Sequence, residues 1–172
     1  MAMSVFFDTE FTSIEAHEDC CLISIGCVAH DGREFYAELS DTYHHGMCSN
    51  FVVDTVLPLL DGGNVRIMEA QLAVRLKEWV EGLGADEVVF RSDAPVWDWP
   101  FVQYIFNFYG MWPKNLRKKC GVAGSFDNDN FAHRYNAGLE DYWKIHGAHR
   151  HHALIDARSL QFATKCAIKR GM

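Results

Sequence analysis

The sequence predicts an α/β fold, a mixed sheet flanked by helices on both sides, and three observations lead there. A strand near the start is apolar on both faces, a β-hairpin follows it, and the last helix carries a stripe of small residues able to pack closely on a sheet. With 172 residues, 49% hydrophobic and 23% charged, the chain has the make-up of one globular domain, 1–172, around one good-sized core.

Each element has its own signal. In the first strand, residues 4–11, Val5, Phe7, Thr9 and Phe11 alternate with Phe6, Asp8 and Glu10, as the two-residue period of a strand requires. Apolar residues on both faces place it centrally, with Phe6 and Phe7 as its anchors. The β-rich runs CLISIGCVA and EFYAEL flank His30, Asp31 and Gly32, which reads as a hairpin. Ser49 is placed to cap a short helix that ends near Leu57, before Pro58. Leu72, Leu76, Trp79, Val80 and Leu83 recur at three and four and predict a second helix, ended by Gly82 and Gly84. DEVVF, from Asp86, is a buried strand ending near Arg91.

Asp98 then reads as the N-cap of a helix with Pro100 in its first turn, running along Phe101, Ile105 and Phe108 to Gly110. The aromatic crowd of that helix, Phe101, Tyr104, Phe106, Phe108 and Tyr109, reads as core. Residues 111–138, rich in Gly, Asn and Asp, read as loop with a little helix. In the closing helix, HHALIDARSLQFATKCAIKR, the small stripe is Ala153, Ala157, Leu160, Ala163 and Ala167, and Asp156 lies on it.

Composition excludes some functions. A net charge of −7 is wrong for a protein that coats nucleic acid by bulk electrostatics, although a substrate held through cations and local basic patches is compatible with it. Arg117, Lys118 and Lys119 are one such patch, equally readable as a solvated face. No run of eighteen apolar residues and no basic-then-apolar leader is readable, so no membrane partner and a cytoplasmic location are expected. The six cysteines form no CxxC pair and no regular framework, which suits buried thiols in a reducing compartment.

The chemistry lies in four acids that surface patterning does not explain. Asp8 and Glu10 share one face of an apolar strand, Asp98 follows a buried strand, and Asp156 faces inward on the last helix. Brought together without a counter-charge, they would repel one another and hold protons to high pH, so a site of hard oxygen ligands for divalent cations is the physical expectation. Two such ions roughly 3.5 to 4 Å apart can clamp both oxygens of a phosphoryl displacement. His151, five residues before Asp156, sits at the helix start, where an imidazole of ordinary pKa about 6.5 can serve as a general base.

In order and spacing, DTE at 8–10, WDWPF around Asp98 and HHALIDA from His151 to Asp156 resemble the motifs of the DEDD 3′-5′ exonucleases, histidine subgroup, which share a ribonuclease H-like fold. FFDTEF, LISIGCVAHDGREFYAEL and SDAPVWDWPF are similar, more narrowly, to compact exoribonucleases of the ribonuclease AS type. The resemblance implies that Asp8 bridges two divalent cations, Mg2+ or Mn2+. Glu10 and Asp156 would hold the one that activates water, Asp98 the other, and His151 would take the proton from the attacking water. Asp93 is a rival to Asp98 for the second motif, and so a further residue on the substrate side. Phe11, with Trp97 or Trp99, is expected to stack on terminal bases. The implied activity is hydrolysis of single-stranded RNA from its 3′ end to nucleoside monophosphates by a homodimer. A DNA exonuclease of the same chemistry and a catalytically silent binding module are the alternatives.

Overall fold

The computed structural model describes residues 1–14, 20–124, 129–147 and 149–169. Among them a six-stranded mixed sheet forms, built from β1 (Ala2–Phe11), β2 (Leu22–Ala29), β3 (Glu34–Leu39), β4 (Arg66–Ile67), β5 (Glu87–Ser92) and β6 (Gly121–Val122), in the order β4-β3-β2-β1-β5-β6. β1 is central, antiparallel to β2 and parallel to β5. Its expected anchors Phe6 and Phe7 are both buried, one on each face. The hairpin turn is set by Gly32 at φ 98°, a left-handed value that favours glycine, and by Asp31, which accepts the Arg33 N–H at 3.1 Å.

Among the described residues four α-helices cover the sheet. α1 (Glu69–Gly82) and α2 (Pro95–Phe108) pack on the face of Phe7, where Leu72, Leu76, Val102 and Ile105 join Val5, Cys27 and Phe90 in the larger core. α3 (Asp129–His146) and α4 (Ala153–Lys169) lie on the Phe6 face with Phe131, Tyr135, Leu160 and Ala163. The small stripe of α4 is buried along its length, as its composition requires for close approach. Gly26 of β2 stands opposite Asp8, and a Cβ on it would overlap the backbone of Ala153 and Leu154, so the start of α4 rests directly on β2. No helix of the described residues is long and apolar enough to cross a membrane.

Several elements differ from their sequence reading. α2 begins at Pro95 with Ala94 as N-cap, so Asp98 is in the first turn and does not cap. Pro95 suits that first position, while Pro100 lies inside the helix and forgoes one backbone hydrogen bond. The aromatic face of α2 is also split. Phe106 is core, but Tyr104 and Phe108 are 51% and 65% exposed. The 111–138 stretch holds the first ten of the eighteen residues of α3, whose Asn130, Asn136 and Gly138 read as loop by propensity. Packing overrides propensity there: a Cβ on Gly138 would come within 2.9 Å of the Ala163 Cα, so glycine lets α3 and α4 cross closely. Ser49 does cap, its Oγ accepting the Val52 N–H at 3.3 Å, and the segment continues as a π-turn over Val52–Val56 and a 3-10 turn over Leu57–Leu59.

Candidate metal centre and its cavity

The C-terminal ends of the parallel strands β1 and β5 meet the start of α2 and the start of α4, the end of an α/β sheet where ligands bind. β1 is irregular there: its register on β2 shifts between Glu10 and Phe11. A cavity of about 950 Å³ opens at this point, and Asp8, Glu10, Asp93, Asp98, His151 and Asp156 all line it.

The pleat explains how the acids converge. Asp8 and Glu10, opposite Gly26 and Ser24, look toward α4, from which Asp156 reaches them. Asp98 comes from the opposite face of the sheet. Its Oδ1 accepts the Thr9 hydroxyl at 2.6 Å and the Thr9 N–H at 3.2 Å, and its Oδ2 accepts the Ser92 hydroxyl. Three donors thus hold one buried carboxylate rigidly at the edge of the cavity.

Two triads result. Oxygens of Asp8, Glu10 and Asp156 lie within 4.8 Å of one another, and so do oxygens of Asp8, Asp93 and Asp98. Asp8 belongs to both. Asp93 and Asp98, rivals in the sequence, stand together in one group, with Asp93 exposed and Asp98 buried.

Five acids face one fixed cation, Arg150, among the described residues that line the cavity. Burial, and then the neighbouring Asp98, Glu10, Asp156 and Asp93, push the Asp8 carboxyl well above the ordinary range. Burial lifts Glu10 to about 8, with Asp156 and Asp98 adding to it. It lifts Asp156 to about 7, against the opposing hydrogen bond from the His151 N–H. Asp98 rises only to about 6, because Ser92 and Thr9 donate to its charged form. An all-oxygen set of this density, short of positive charge, fits hard divalent cations.

These shifts carry a stability consequence. Folded Asp98, Asp156 and Glu10 keep protons that an unfolded chain has lost by about pH 4 to 5. Their contribution is therefore complete at low pH and disappears as the pH climbs through about 6, 7 and 8 in turn. The expected result is a metal-free melting temperature that falls between pH 5 and pH 8.5, with a divalent cation removing most of the fall. Scanning calorimetry across that range checks it, and a metal-free melting temperature that rises with pH contradicts it.

His151 occupies a turn at φ 72°, a left-handed conformation uncommon for a residue with a side chain. Its N–H donates to the Asp156 Oδ2 at 2.7 Å, which fixes the turn against the site. The imidazole meets the exposed Phe51 edge-on at 5.0 Å, and burial together with Arg150 lowers its pKa. At neutral pH it is an acceptor of protons. His152, the next residue, is buried and stacked on Tyr36 at 4.6 Å.

The expected aromatic contacts divide. Phe11 lines the cavity with Trp97, the two rings nearly parallel with centroids 6.2 Å apart. Trp99 does not: it is buried in the core, packed edge-on against Phe7 and Trp112, because its place on α2 faces the sheet. Arg150, Trp143 and Phe51, which sequence reasoning passed over, also line the cavity, and Arg150 lies over the Trp143 ring at 5.0 Å. The position of Arg150 beside His151 in HRHH was the available signal. In the basic run, Arg117 is paired with Glu87 and Lys118 lies over Trp112, so both serve the surface around β5.

No family model matches the chain. Among curated proteins it is similar to a 3′-5′ exoribonuclease of Mycobacterium tuberculosis, in strains CDC 1551 and H37Rv alike, with 28% identity over 166 residues, 91% of this chain and 88% of the relative. Among solved structures it resembles the nuclease domain of 3′hExo, a DEDDh family member bound to rAMP, with a TM-score of 0.64 and 12% identity over 98% of this chain and 92% of that one. E. coli exonuclease I in complex with single-stranded DNA gives a TM-score of 0.60 and 13% identity, and this chain, 99% of which is covered, spans 41% of that enzyme. The fold is thus the ribonuclease H-like fold of the DEDDh nucleases.

Proposed function

We infer that this chain is a metal-dependent 3′-5′ exoribonuclease of the DEDDh type, which hydrolyses single-stranded RNA to nucleoside monophosphates. The observation that carries this reading is that one carboxylate, Asp8, is shared by two oxygen triads, with His151 bonded to one of them, in a cavity on this fold. The similarity to a curated exoribonuclease over 91% of the chain supports RNA as the substrate.

Asp8, Glu10 and Asp156 would hold one divalent cation, and Asp8 with Asp98 and Asp93 a second, Mg2+ or Mn2+ being the ions such oxygens suit. When bound, these ions supply an activated water and neutralise charge on the phosphoryl group. His151 takes the proton of the attacking water, for which its lowered pKa keeps the imidazole neutral and ready. Thr9 and Ser92 hold Asp98 in the ionised, oriented form. Phe11 and Trp97 offer the flat surfaces on which the 3′-terminal base stacks, and Arg150 offers a cation to the backbone.

His151→Ala is expected to reduce turnover by about 10²- to 10⁴-fold, the usual range for a general base, while calorimetric titration with Mn2+ shows metal binding within a few-fold of the parent. Loss of binding instead would make His151 a ligand. The function itself is tested by digesting end-labelled RNA and DNA of one sequence. RNA shortened one nucleotide at a time from its 3′ end, a halt at a 3′-phosphate block and slower attack on DNA are expected. Equal or faster attack on DNA would transfer the reading to a DNA exonuclease, and binding without cleavage would leave a silent module.

The same reading takes 1–172 as one domain, working in the cytoplasm as a homodimer, with sedimentation equilibrium as the check on assembly.

A further inference from the structure

The split face of α2 has a use that the metal centre does not absorb. Trp97, Phe101, Tyr104 and Phe108 follow one another at four, three and four residues, so they form a single line along the helix, within about 60° of arc. The line starts in the cavity: Trp97 lines it, and Phe11 packs against both Trp97 at 6.2 Å and Phe101 at 5.5 Å. It then leaves. Phe101 and Tyr104 border a second, open groove of about 420 Å³, and Tyr104 and Phe108 stack on each other at 5.3 Å on the exposed side of the helix.

We propose that this aromatic line is a base-stacking track for the part of a single-stranded RNA that lies upstream of its 3′ end. The proposal rests on the exonuclease reading above. Four observations argue for this occupant. The line is continuous with the cavity. Every residue on it is aromatic, which suits flat, interchangeable bases better than the mixed aliphatic surface of a protein partner. Eleven residues of helix at about 1.5 Å each span roughly 16 Å, room for about four or five nucleotides at about 3.4 Å. The two described acids that line the groove are engaged internally: Asp41 accepts the Glu69 N–H at 2.9 Å and Glu69 accepts the Tyr109 hydroxyl at 3.2 Å. With no Lys or Arg among the described groove residues, the track holds bases and leaves phosphates in water.

That mode of grip gives the track a distinctive signature. Affinity gained by stacking changes little with salt, whereas affinity gained at phosphates falls steeply. The test compares the parent with Tyr104→Ser/Phe108→Ser and with Tyr104→Phe/Phe108→Tyr, on oligo-A substrates from two to eight nucleotides, at two salt concentrations, with sedimentation of each protein. For the parent, KM should fall at least tenfold between the dinucleotide and the hexamer. The double serine variant should lose most of that gain at both salt concentrations yet cleave the dinucleotide like the parent, and the aromatic exchange should keep the gain. An unchanged length dependence in the serine variant would overturn the track, and so would its conversion from dimer to monomer, which would assign the line to a second copy of the chain. Failure of the parent to cleave even the dinucleotide with Mn2+ would overturn the exonuclease reading instead.

Discussion

Asp8→Asn is expected to abolish metal-dependent release of 3′ nucleotides, lowering the rate by on the order of 10³-fold or more, equivalent to about 4 kcal/mol or more of transition-state stabilisation. Among the described residues no other belongs to both triads, so none should cost as much. The same variant is expected to gain stability without metal. Asp8 is buried and crowded by Asp98, Glu10, Asp156 and Asp93, and asparagine takes the ionisable group out of that crowd while preserving its shape. A melting curve at pH 8 in a chelator should therefore lie at or above the parent's. Adding Mn2+ should reverse the order, because an ion at a hundred times its dissociation constant stabilises the parent by about 2.7 kcal/mol and finds its site broken in the variant. Retained activity would remove the metal centre from this position, and an Asn variant much less stable than the parent in chelator would make Asp8 a structural residue.

Gly26→Ala is expected to be the costliest small substitution in the sheet. One methyl group there must displace the backbone of α4 at Ala153 and Leu154, and backbone yields less readily than a side chain. Overpacking of this kind costs about 3 kcal/mol or more, which lowers the melting temperature of a chain this size by roughly 6 to 12 °C. Activity should fall beyond what stability explains. A shift of the α4 start moves His151 and Asp156 together away from Asp8 and Glu10, so Mn2+ affinity should fall in the folded variant as well, and calorimetric titration below its melting temperature measures that. Parent-like metal affinity and stability would mean that α4 need not lie so close.

The legible parts of the molecule were those governed by local period. Two-residue alternation marked β1 and set Asp8 and Glu10 on one face. The small stripe marked α4 and brought Asp156 inward, and the positions of both are as that logic requires. What escaped was set by distant contacts. α3 is polar and carries two Asn and a Gly, and its packing depends on Gly138 meeting Ala163 of α4. Its Phe131, Tyr135, Leu139 and Tyr142, at four, four and three, carried the helical period through that composition. Asp98 read as a cap because an Asp before Trp-Pro has that local meaning, while its hydrogen bonds to Thr9 span 89 positions. Trp97 and Trp99 are two apart on a helix, a separation that sends one ring into the cavity and the other into the core. The choice between them needed the true start of α2.

The order in which the site residues occur along the chain has a consequence for synthesis. Asp8 and Glu10 are made first, Asp93 and Asp98 near the middle, and His151 and Asp156 only with α4, the last described helix, which must settle on β2 at Gly26 before one triad exists. A nascent chain on the ribosome, surrounded by RNA, therefore carries an incomplete centre until α4 has emerged from the exit tunnel. Connectivity alone thus makes the folding of α4 onto β2 the step that completes the centre.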